Sequence, residues 1–188
     1  MVFVEPKSAG ENGQSIDTTA VVAAIKKGHG FITSGPMIEL ELGAEGKTAR
    51  PGDELPAPHG SNVPGKLRIR AAPWIDVTSV EVMAGMPPTP AGASGVVPAP
   101  VLVPTAGRRE VLFKSKIASR PTHLGKEEGT LEEAAARTIR FETDLSLTIP
   151  EGARWIAVVV RGERALDDAL PFMPIQPLAF TNPIWLAR

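Results

Sequence analysis

Between Ile139 and Ile149 the chain alternates without a break. Ile139, Phe141, Thr143, Leu145, Leu147 and Ile149 are separated by Arg140, Glu142, Asp144, Ser146 and Thr148, every one polar. An amphipathic helix repeats its apolar face every three or four residues, so this period of two belongs to a strand. One face is dry and the other wet, as antiparallel sheets allow. The phase predicts that Ile139, Phe141, Leu145 and Leu147 are buried, together with Val158 of the apolar run Trp155–Val160.

The same period recurs at Ile38-Leu40-Leu42, Leu67-Ile69-Ala71, Val80-Val82-Ala84 and, less cleanly, over 111–117. A further apolar stretch, 178–186, is interrupted at Pro183, which fits an edge or a bulge. Proline (19) and glycine (18) make up about a fifth of 188 residues, well above the usual share of about an eighth. Amid alternating segments that excess means frequent turns between short strands. The expected fold is therefore mainly β, an antiparallel β-sandwich, immunoglobulin-like or jelly-roll-like, with seven to nine strands. One short N-terminal helix is expected at about 18–27. Val21, Ala24 and Ile25 share a face there, Lys26 and Lys27 suit its C-terminal end, and Gly28 suits the left-handed residue beyond it. Residues 1–16 read as an irregular lead-in and 17–188 as one sandwich domain. Residues 83–107, with six prolines and no charge, read as a long loop. Leu131–Arg137 has the makings of two helical turns.

The residues exclude much chemistry. With no cysteine there is no disulfide, thiolate nucleophile or iron–sulfur cluster. A net charge of −1 gives no basic excess to neutralise phosphates, so nucleic acid is not the expected partner. No apolar segment approaches the ~20 residues of a membrane span. The N-terminus lacks a basic-then-apolar signal layout, and compartment stays open, cytoplasmic or exported as part of a longer parent. His29, His59 and His123 are scattered, without metal-ligand spacing, and read as surface turn residues. Ser34 lies in Ile32-Thr33-Ser34-Gly35-Pro36, which is not a nucleophile elbow. Glu39 and Glu41 share one outward strand face and read as its polar half rather than as a catalytic pair. No catalytic residue, metal site or cofactor is expected. Trp74, after Pro73 and before Ile75-Asp76, is the tryptophan expected to be exposed, while Trp155 reads as core.

Several segments resemble a known family. Residues 17–40 run as a short helix into Gly28-His29-Gly30-Phe31-Ile32-Thr33-Ser34-Gly35-Pro36 and then a strand. Arg50-Pro51-Gly52-Asp53 follows as a turn, 67–82 as paired strands, and Thr181-Asn182-Pro183 stands near the end. In this order the segments resemble the part that follows the catalytic core in PHP-type metallohydrolases of the CehA/McbA kind. The resemblance runs over about 17–185. The His, Asp and Glu motifs that hold metal in that family are not in this chain, so no catalytic residue carries over. The resemblance implies a non-catalytic accessory sandwich, a fragment of a longer parent or a stand-alone gene product. Its partner would be a PHP-type catalytic domain, in cis or in trans, met through the helix and Ser34, Gly35 and Pro36. Asn182 and Pro183 are expected to lie beside that loop, with Asn182 bonding backbone near Thr33–Gly35. The other reading is a stand-alone carbohydrate-binding or protein-interaction module, with Trp74 as the stacking residue.

Overall fold

The structure, a computed structural model, describes residues 18–86, 108–119, 121, 131–167, 171 and 174–187. The chain opens with α1 (Thr18–Lys27), then β1 (Phe31–Thr33), β2 (Met37–Ala44), β3 (Lys47–Ala49), β4 (Glu54–Pro56), β5 (Asn62–Arg70) and β6 (Ser79–Gly85). It continues with β7 (Arg109–Lys116), α2 (Leu131–Thr138), β8 (Ile139–Thr148), β9 (Trp155–Arg161), β10 (Leu178–Thr181) and β11 (Ile184–Ala187). Two sheets form. The larger has seven strands: β1, β10, β9, β11 and β4 in sequence of neighbours, with β6 on the other flank of β9 and β7 beyond β6. The smaller runs β3-β2-β5-β8. All pairs are antiparallel except β11 with β4. The mainly β sandwich stands as expected.

The inner faces carry the alternation. Ile38, Leu40, Leu67, Ile69, Leu145 and Leu147 of the small sheet share one buried cluster with Val80, Val82, Ile156, Val158, Val160 and Ile184 of the large one. The cluster lies almost wholly out of water, which is the dominant favourable term for such a fold.

There are eleven strands among the described residues rather than seven to nine. The extra ones, β1, β3 and β4, are three residues each, too short to display a period. The tail splits at Asn182-Pro183 into two strands, and neither is an edge: β10 lies between β1 and β9, β11 between β9 and β4. Residues 83–85 belong to β6, so the expected loop starts later than 83. Its remainder, 87–107, and the lead-in lie outside the described residues, as does His123.

The predicted burial holds for Leu145, Leu147 and Val158 and fails for Ile139, which is 39% exposed. The cause is a β-bulge. Ile69 pairs with Phe141 and Arg70 with Ile139, so Arg140 is an extra residue on β8. One extra residue flips the phase of everything before it. Ile139 is thereby turned to the wet face, and Arg140 reaches the carbonyls of Ala72, Pro73 and Ile75 at 3.2, 2.7 and 2.9 Å. Phe141 is half-buried, its ring 6.2 Å from that of Phe113 on β7.

The outer face of the small sheet is a charge lattice. The ladder aligns Glu39 with Arg68 and Arg68 with Glu142, and likewise Glu41 with Lys66 and Lys66 with Asp144. Basic β5 thus runs between two acidic strands. Glu142 accepts from Arg68 at 2.8 Å and lies 2.9 Å from Lys66. The Arg68 and Lys66 hydrogen bonds hold its carboxyl down at about 2. A depressed carboxylate stabilises fully above the ordinary range and loses that contribution as pH falls toward 2. An NMR titration of Glu142 is expected to show a midpoint near 2, moving up toward the ordinary value of about 4.3 in Arg68→Met. A midpoint unmoved by that substitution would remove Arg68 as the cause.

Candidate functional site

Three segments singled out in the sequence converge on one junction. The first is the end of α1. Gly28 takes φ of 75°; its amide donates to Ile25 O at 3.0 Å and the His29 amide to Ala24 O at 2.9 Å. This pair of bonds is the Schellman closure, which glycine allows at no steric cost. The second is the turn Arg50–Asp53. The Arg50 amide donates to Asp53 Oδ2 at 2.8 Å, so the aspartate closes its own turn. The third is Asn182-Pro183.

The contacts among them are specific. Asp53 Oδ1 lies 2.8 Å from His29 Nε2. Asn182 donates through Nδ2 to Gly28 O at 2.8 Å and through its amide to Gly30 O at 3.1 Å. The Gly52 amide donates to Pro183 O at 2.9 Å and the Trp185 amide to Asp53 O at 2.9 Å. The junction therefore ties the helix end, the turn before β4 and the break between β10 and β11 together. His29 is one of its members rather than a free surface histidine.

Asn182 does not bond near Thr33–Gly35. The β1–β10 register pairs Phe31 with Thr181 and Thr33 with Ala179. Because the two strands run antiparallel, Asn182 is carried toward Gly30 and Ser34 toward Leu178. Ser34 and Asn182 lie at opposite ends of one ladder. Ser34 is spent locally: its amide donates to Leu178 O at 2.8 Å, its hydroxyl to Gln176 O at 3.1 Å, and it accepts the Leu178 amide at 2.9 Å. The Gly35 amide donates to Thr33 Oγ1 at 2.8 Å, and a Cβ on Gly35 would stand 2.9 Å from Ile75 Cδ1. Pro36 is buried. The Ser34-Gly35-Pro36 segment thus builds the fold and presents little free polar chemistry.

The carboxylates follow the same logic. A groove of about 390 Å³ is lined by Glu39, Glu41, Arg50, Lys66 and Arg68 among others. Glu41 accepts from Arg50 Nη2 and Nε at 2.5 and 2.8 Å. Glu39 lies 3.4 Å from Arg68 and 3.1 Å from Arg70. Its carboxylates are already engaged, so Glu39 and Glu41 are the polar half of β2. Among the described residues no three of His, Asp or Glu converge as metal ligands, and no helix is long and apolar enough to cross a membrane.

The tryptophans depart from expectation. Trp74 is half-buried and packs against the core. Trp185 is the exposed one at 47%. Trp155, read as core, is half-buried on the outer face, because its neighbour Ile156 takes the inward position on β9. Parity is the signal that separates them: in both β9 and β11 the isoleucine beside each tryptophan is fully buried.

Along β1 and β10 the outer face of the large sheet is apolar, while toward β6 and β7 it carries Glu81, which accepts from Lys114 at 2.6 Å and from Arg161 at 3.0 Å. Ile32 and Phe180 pair across β1 and β10, and Phe180 pairs with Val159 of β9. Ile32 is 61% exposed, with Leu178 and Phe180 about two-fifths exposed, and on α1 Val22 and Ile25 are half exposed or more. Only Ala24 of α1 is buried, although the helical spacing predicts that Val21 and Ile25 share its face. Compared with known proteins, the chain matches no family model, no curated protein and no solved structure.

Proposed function

We propose that this chain is a non-catalytic accessory β-sandwich that docks on a catalytic domain, a PHP-type metallohydrolase domain in cis or in trans. The observation that carries the reading is the exposed apolar patch at the β1–β10 end of the large sheet, set against the charge lattice that covers the outer face of the small sheet. The small sheet presents a lattice of charges paired with one another. The large sheet presents Ile32, Leu178 and Phe180, and the adjoining α1 presents Val22 and Ile25. Exposed apolar side chains rimmed by polar ones mark an interaction surface, and Arg161, the register partner of Leu178, stands at the rim of this patch. The junction of Gly28, His29, Asp53 and Asn182 anchors the C-terminal end of α1 to the sandwich. The choice of partner rests on the resemblance over residues 17–185.

The test is binding to the PHP-type domain encoded in the same reading frame or beside it. Size-exclusion chromatography with light scattering is expected to show a one-to-one complex, lost in Ile32→Asp and Phe180→Asp chains that remain folded. Retention of the complex in both variants, or no domain with His-x-His and Asp-x-His segments in that neighbourhood, would defeat the reading.

A further inference from the structure

We propose that Trp155 and Trp185 form a stacking platform for a neutral, pyranose-containing glycan, with Glu54 and Arg109 supplying hydrogen bonds at its two ends. The site lies beyond the docking function and uses other residues. The register sets five positions in one row across five neighbouring strands. Glu54 of β4 pairs with Trp185 of β11, Trp185 with Trp155 of β9, Trp155 with Gly85 of β6, and Gly85 with Arg109 of β7. At ~4.8 Å between strands the row is roughly 19 Å long, with the tryptophan backbones about 5 Å apart. Glu54, Trp185, Trp155 and Gly85 stand on the outer face, since their neighbours Leu55, Ile184, Ile156 and Ala84 are fully buried, and the register sets Arg109 beside Gly85.

Gly85 makes room for the first indole. A Cβ on Gly85 would fall 1.9 Å from Cε2 and Cζ2 of Trp155. The indole therefore occupies the space over β6 that a side chain at 85 would fill. Any larger residue at 85 would displace it. The backbone beneath is fixed, with the Arg154 amide donating to Gly85 O at 2.8 Å and the Leu186 amide to Arg154 O at 2.9 Å. A platform held in place loses little freedom on binding.

The chemistry selects the ligand class. A pyranose has one face of C–H bonds and a rim of hydroxyls. An indole offers a flat π-face of matching character. The hydroxyl rim then meets the donors of Arg109 and the acceptors of Glu54. One cation and one anion cancel, so the row has no field to draw a charged ligand, and a neutral one fits. The row is separate from the docking patch: Val159, which neighbours Phe180, is four residues along β9 from Trp155.

The experiment is titration of the full chain with cellohexaose, xylohexaose and laminarihexaose, followed by tryptophan emission and calorimetry. At least one hexasaccharide is expected to bind saturably and to shift the emission. Trp185→Ala is expected to weaken that binding by about tenfold or more with an unchanged thermal midpoint, because its side chain is half in water. Ile32→Asp is expected to leave it intact, which separates this site from the docking surface. Failure of all three sugars at millimolar concentration would overturn the proposal. So would equal binding by Trp185→Ala, or loss of binding in a folded Ile32→Asp chain.

Discussion

Gly52→Ala is expected to destabilise the fold by about 3–4 kcal/mol, combining backbone strain with overpacking. Gly52 has φ of 101°, and a Cβ there would lie 2.6 Å from the carbonyl carbon of Gly28, 2.7 Å from its oxygen and 2.7 Å from His29 Cδ2. A flexible side chain could move aside, but the Gly28 backbone cannot. It is closed by the Schellman bonds on one side and held by Asn182 Nδ2 on the other. Relief would require opening the junction and with it the His29–Asp53 contact. Gly46→Ala is the control. Gly46 has φ of 74° and nothing within 4 Å of its would-be Cβ, so only the left-handed backbone is penalised, at about 1 kcal/mol. Urea unfolding of both variants isolates the packing part of the effect. If Gly52→Ala falls within about 0.5 kcal/mol of Gly46→Ala, inside ordinary surface variation, the junction is looser than its geometry. If the docking proposal holds, Gly52→Ala also weakens the complex, since α1 is anchored there.

The fold was legible where a strand is long and one-sided. Residues 38–42, 67–69 and 80–84 alternate in the sequence, and their inward positions are buried as the period demands. It failed where tertiary pairing overrules local pattern. The alternation of 139–149 is unbroken, yet the bulge at Arg140 reverses its first residue, because Arg140 finds three carbonyls in the 72–75 segment that no period can encode. β1, β3 and β4 have no pattern to read and exist by pairing alone. The junction was half legible. Gly28, Asp53 and Asn182 were each marked, but which meets which depends on the antiparallel register of β1 and β10, a non-local fact. The tryptophans turned on parity: a continuous apolar run such as 155–160 hides which of its residues face inward, because its outward residues are apolar too.

Asp76→Ala is expected to be the more damaging change, at about 3–5 kcal/mol, because it leaves buried partners uncompensated. Asp76 is only 6% exposed. Its Oδ2 accepts the amides of Glu163 and Arg164 at 2.7 and 2.9 Å, closing the segment after β9 onto the 72–77 stretch. The Arg140 charge acts on it from the β8 bulge, so the bulge and the carboxylate form one arrangement. Burial works to raise the Asp76 carboxyl. Hydrogen bonds from Ser119 and from the Arg164 and Glu163 amides, with the Arg140 charge, outweigh it and leave the group below its ordinary value. Its contribution is therefore complete above the unfolded carboxylate range of about 4 and is lost as pH falls through the lower folded value. Asp76→Asn removes the charge and keeps one acceptor oxygen. Near neutrality it is expected to lie about 2–3 kcal/mol below the wild type, the worth of hydrogen bonds to a charged group. Below pH of about 4 the gap is expected to narrow as the wild-type carboxyl protonates. Glu142 and Glu81, also depressed, titrate in both chains and cancel in the difference. Chemical unfolding of the two proteins from pH 7 down to 2 reads that difference directly. Parallel curves across the whole range would mean that Asp76 acts by shape alone and that its charge has no part in holding the bulge and the 163–164 turn together.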